Sequence, residues 1–156
     1  MVAARYPAGF TLLELMVVMA IMASIAVLSG PRLAQLYDTM RYQAAVREVS
    51  TSLAATRYQA ISRGQPVDLV IDASSGEYGL DGQLDRRLPA GVGLDMLSAG
   101  ELISQQGQAV FRFYPDGSSS GGQVRLLREI GDTQVGTTIH VDWLLGRISH
   151  GAYHAP

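Results

Sequence analysis

Phe10-Thr-Leu-Leu-Glu-Leu-Met-Val-Val-Met-Ala-Ile-Met-Ala-Ser-Ile-Ala-Val-Leu28 dominates the reading of this chain. Only Thr11, Glu14 and Ser24 are polar in that run. Wound as an α-helix it would be roughly 28 Å long, near the thickness of a bilayer's hydrocarbon layer. Arg5 and the initiator amine precede it, a small positive charge that favours a cytoplasmic start. Gly30-Pro31 follows it, and Pro31 should end or kink the helix because it lacks an amide donor and crowds the preceding turn.

Glu14 is the informative residue. A cleaved secretory signal would carry no acid in its apolar stretch. A plain membrane anchor explains the length but not the carboxylate, which costs on the order of 2 kcal/mol or more inside a spanning helix unless it has a partner. Cutting the chain between Gly9 and Phe10 supplies one. The new α-amine of Phe10 would lie one helical turn from Glu14, able to pair with this carboxylate in its own chain or in a neighbour.

Ala8-Gly9-Phe10-Thr11-Leu12-Leu13-Glu14-Leu15 resembles the cleavage and methylation motif of type IV pilins and type II secretion pseudopilins. The resemblance implies that a prepilin peptidase removes residues 1–9 and N-methylates Phe10. It implies too that Glu14 docks the subunit into a helical filament by neutralising a neighbour's terminal amine. Pro31 falls where many such proteins kink this helix.

From Pro31 to Arg63 nothing further breaks a helix until Gly64-Gln65-Pro66. Arg63 suits the negative end of the helix dipole. At 100° per residue two apolar stripes emerge. Leu33, Leu36, Tyr37, Met40 and Ala44 form one, expected to continue the filament-packing surface. Tyr42, Val46, Val49, Leu53 and Ala60 form the other, expected to pack on the C-terminal domain.

Beyond Pro66 the period changes to two and glycine becomes frequent. Strands are expected at 67–71, 77–80, 92–97, 109–114, 123–129, 137–143 and 147–149, with a turn at 74–76. Residues 81–91 read as irregular, with Arg86-Arg87 in a solvated loop, and 98–108 as loop. Pro115 to Gly122 reads as a hairpin connection with Asp-Gly turn chemistry. The fold class is therefore α+β: a long N-terminal helix, transmembrane in its first half, packed on antiparallel β-sheets.

Phe113-Tyr-Pro-Asp-Gly-Ser-Ser-Ser-Gly-Gly122 and Leu145-Gly-Arg-Ile148 resemble the C-terminal signature of the GspH/FimT group of minor pilin-like proteins. A pilin-like fold is what this resemblance implies. The expected organisation is a leader at 1–9, a transmembrane and filament-core helix at 10–30, its continuation at 31–63, and a periplasmic β-rich domain at 64–156.

Composition and spacing exclude much else. Twelve basic and fourteen acidic residues leave a net charge of −2, and every cation is arginine. The Asp116–Gly122 loop precedes a strand and lacks the lysine of a phosphate loop. Absence of cysteine removes disulfides, thiolate metal sites and cysteine nucleophiles. Asp81, Asp85 and Asp116 lack the alternating oxygen ligands of a calcium loop. His140, directed to solvent, and His150 and His154, in a Gly- and Pro-containing tail, have no carboxylate or cysteine to complete a zinc site. No G-x-S-x-G elbow marks a hydrolase. No enzyme, metal or cofactor is therefore expected.

The leading expectation is a GspH-like minor pseudopilin of a type II secretion system, single-pass in the bacterial inner membrane with its C-terminal domain in the periplasm. Its partners would be other pseudopilins, the prepilin peptidase and, at the sheet domain, exported protein. The alternative is a FimT-like minor type IV pilin that binds DNA for uptake. FimT-type relatives bind through arginines near the C-terminus; here Gly146-Arg147-Ile148-Ser149 offers Arg147 alone, and one cation binds phosphate weakly. Nucleic acid is thus not an expected partner. Salt-sensitive gel shifts lost in Arg147→Ala would favour the alternative.

Overall fold

A computed structural model describes residues 9–97, 108–130 and 133–154, with the side chains of 27–35, 97 and 154 left aside. The described elements are one helix, α1 (Leu12–Arg63), and eight strands: β1 (Val67–Asp72), β2 (Glu77–Leu80), β3 (Gln83–Arg87), β4 (Gly93–Leu97), β5 (Gln108–Phe113), β6 (Gly122–Ile130), β7 (Thr133–Val141) and β8 (Ile148–His154). The chain divides into two compact units, residues 1–40 and 41–156.

The first unit is the N-terminal part of α1. Thr11 opens it as an N-cap, accepting the Glu14 amide on Oγ1 (3.2 Å) while its carbonyl accepts the Leu15 amide. The helix does not end at Gly30-Pro31, since α1 runs through both as one element. Of the first apolar stripe, Leu36, Tyr37 and Met40 are exposed; the Leu33 side chain lies outside the described residues.

In the second unit the other stripe is buried as expected. Tyr42, Ala45, Val49, Leu53 and Ala60 face the core, Val46 is half-buried, and the positions recur every three or four residues. Ser52 and Thr56 are buried on the same face, and their hydroxyls donate to the Glu48 and Ser52 carbonyls one turn back. Gly64, at φ 64°, terminates α1 in the left-handed conformation that lacks a Cβ penalty.

Two four-stranded antiparallel sheets complete the unit, in the orders β3-β2-β1-β5 and β4-β6-β7-β8. Val67, Leu69 and Ile71 of β1 turn inward beside Ala109, Phe111 and Phe113 of β5, with Leu69 opposite Phe111. Val124, Leu126, Ile139 and Val141 supply the second sheet's inner face. Each fully buried side chain of this size contributes about 1.5–3 kcal/mol. Tyr42 ties α1 to the second sheet: its hydroxyl donates to the Leu126 carbonyl (2.9 Å) and meets Thr137 Oγ1 (2.9 Å).

Four expectations need correction. Residues 81–91 are not irregular throughout: 83–87 form edge strand β3, which carries Arg86 and Arg87 out of any loop, while 88–91 remain without regular structure. Asp81 (φ 50°) and Gly82 (φ 80°) both adopt left-handed backbone, as a two-residue hairpin requires. Conversely, Pro115–Gly122 is not a hairpin connection. β5 and β6 belong to different sheets, so this loop is a crossover, with an isolated bridge between Phe113 and Ser119 as its local pairing. At the end of the chain β7 stops at Val141 because the Asp142 carboxylate caps the next turn. β8 then extends to His154, taking His150 and His154 out of a tail and into a strand. Residues 98–107 of the expected loop lie outside the described residues.

Candidate functional site: the helix mouth and the distal loops

Gly9 and Phe10 precede α1 and are exposed, Phe10 at 85%, and a Cβ built on Gly9 would meet nothing within 4 Å. The Gly9–Phe10 peptide therefore stands directly ahead of the N-cap Thr11, with nothing packed on Gly9 among the described residues. Thr11-Leu-Leu-Glu14 has the spacing of a capping box, with the acid in the first turn where the helix dipole favours it. Glu14 is exposed, and among the described residues no cation pairs with its carboxylate. From Leu12 to Ala26 every side chain is exposed, including Leu13, Met16, Met19, Ile21 and Ile25. Among the described residues no helical segment is long and apolar enough to cross a membrane. Described side chains pause after Ala26, and the surroundings of Pro31 fall in that interval.

The second site is the C-terminal signature, and its geometry explains its composition. Arg57 of α1 donates from Nε to the Gly117 carbonyl (3.0 Å). A Cβ on Gly146 would sit 2.3 Å from that same carbonyl oxygen and 2.9 Å from Arg57 Nε. Gly117 (φ 86°) and Gly146 (φ 57°) are thus needed for backbone conformation, and Gly146 for close approach as well. Ser119, buried, joins the loops: its amide donates to the Trp143 carbonyl (2.9 Å) and its Oγ to the Asp142 carbonyl (2.9 Å). Asp142 Oδ1 accepts the Leu144 and Leu145 amides. The result is a braced turn that holds Trp143, Leu144 and Leu145 exposed at 67%, 59% and 57%.

Sequence reasoning did not find Arg57 or Ser119. Arg57 had no signal, because its partner lies sixty residues away; Ser119 was hidden in a serine-rich loop. Arg147 is exposed just beyond the turn, its carbonyl accepting the Asp142 amide (2.9 Å). His140 is exposed on β7, and His150 Nε2 lies 2.8 Å from Ser50 Oγ of α1. Among the described residues no three His, Asp or Glu side chains converge on a metal position.

Electrostatic perturbations are few. The Ser118 hydroxyl and amide hold Asp116 below the usual carboxylate range, and Ser74 with the Ser75 amide does the same for Asp72. Burial pushes the Tyr78 phenol up to about 12, assisted by nearby Glu48. Its hydroxyl has no partner at hydrogen-bonding geometry among the described residues, so burial is the better account of the shift than a bond to Glu48. Asp68, in a bidentate pair with Arg112 (2.7 and 2.8 Å), raises that guanidinium further. None of these groups sits at the helix mouth.

Residues 45–145 match the family described as Type II transport protein GspH, and residues 5–30 match the prokaryotic N-terminal methylation motif. The chain belongs to the GspH family. A relative from Xanthomonas campestris pv. campestris, "Type II secretion system protein H", is 31% identical over 148 residues, covering 95% of this chain and 85% of its own length. In fold, the chain is similar to the minor pseudopilin EpsH from the type 2 secretion system of Vibrio cholerae, with a TM-score of 0.54 at 16% identity. That likeness covers 72% of this chain and 97% of EpsH. GspH membership makes the chain a minor pseudopilin of type II secretion, a structural class that assembles with other pseudopilins. With the methylation motif it implies a membrane-anchored periplasmic subunit.

Proposed function

We propose that this GspH-family chain is made with a leader of residues 1–9, cut by a prepilin peptidase between Gly9 and Phe10 and N-methylated on Phe10. Residues 10–30 then hold it in the inner membrane as a single span, with residues 64–156 in the periplasm. Pairing of Glu14 with a neighbour's terminal amine draws it into the pseudopilus, and Pro31 kinks the helix there. The subunit acts by assembly and contact with neighbouring pseudopilins and exported protein, without an active site, metal or cofactor of its own.

The observation that carries this reading is the open Gly9–Phe10 peptide beside an N-capped helix whose described side chains, through Ala26, are all exposed. A protease needs its target bond accessible, and a helical stretch that buries none of its leucines and methionines needs lipid or other helices around it. Replacing Gly9 with valine in cells that make the peptidase should leave the leader attached, read as unprocessed mass. Glu14→Ala should be processed but missing from sheared pseudopili. Normal processing of the Gly9 variant would count against the assignment.

A further inference from the structure

We draw no further inference here: the strongest candidate, the cleft at the distal loops between Trp143, His140 and the Ser119–Gly122 backbone, is an exposed face for which nothing in the structure shows what covers it.

Discussion

Between Leu12 and Ala26 α1 exposes every side chain, Leu13 at 73% and Met19 at 65%, whereas between Tyr42 and Ala60 the same helix sinks Ala45, Val49, Leu53 and Thr56 to 1% or less. The composition of the two stretches does not predict this contrast, since the exposed one is the more apolar. The later stretch finds its partners in its own chain, on two sheets formed by residues 67–154. Among the described residues the earlier stretch has none in its own unit, and in the function proposed above lipid or neighbouring subunits would cover its leucines and methionines. The function proposed above uses that division, with one part of the helix holding a domain together and the other part placed in lipid or in a filament.

The sharpest way to break the comparison is to truncate one large side chain in each stretch. Leu53→Ala should cost about 2–5 kcal/mol in denaturant unfolding, because it empties a fully buried site. Leu36→Ala, on the exposed stripe, should change stability by less than about 0.5 kcal/mol yet reduce recovery in sheared pseudopili. Equal losses of stability would erase the distinction.

Next in size is the distal clamp. Gly146→Ala should destabilise by about 2–3 kcal/mol, since it strains a left-handed residue and drives a methyl into the Gly117 carbonyl. Near-ultraviolet circular dichroism of Trp143, the lone tryptophan, should change with it. An unaltered spectrum and melt would mean that the loops are not braced as described.

Tyr78 gives an alkaline test of the core. Its folded pKa lies above its unfolded value of 10, so the phenol favours folding below pH 10, and that contribution is lost as pH rises toward about 12. The loss should approach about 2–3 kcal/mol over that window. Tyr78→Phe should flatten this limb and be close to neutral at pH 7, because it removes a hydroxyl with no hydrogen-bond partner among the described residues. A steep limb in the Phe variant would assign it elsewhere.

The smallest effect is at the acid end. Asp116 has its folded pKa lowered by Ser118, so its contribution is present above the unfolded carboxylate pKa and lost as pH falls through the folded one. Asp116→Asn should therefore shallow the acid limb slightly and leave neutral stability nearly unchanged. A steeper acid limb would reverse the sign assigned to the Ser118 contacts.

The sequence was legible where chemistry is local. The methylation motif matched over residues 5–30 is a local pattern, and the stripe from Tyr42 to Ala60 is read by counting turns. β3 escaped because Gln83-Leu-Asp-Arg-Arg87 is solvated on both faces and shows no alternation. Of the two Asp-Gly pairs, hairpin chemistry is expected from sequence at Asp116-Gly117 and not at Asp81-Gly82, and the structure reverses this. Asp81-Gly82 makes the hairpin, while Asp116-Gly117 turns a crossover, and only the distant partners of β5 and β6 distinguish them. Arg57 was invisible because its role depends on carbonyl and glycine positions far along the chain.

Everything assigned to the exposed part of α1 depends on what becomes of the bond before Phe10. The direct measurement is intact-mass and N-terminal analysis of the full-length chain recovered from membranes of cells that make a prepilin peptidase. A chain beginning at N-methylated Phe10 is the predicted result; one that still carries residues 1–9 would contradict it.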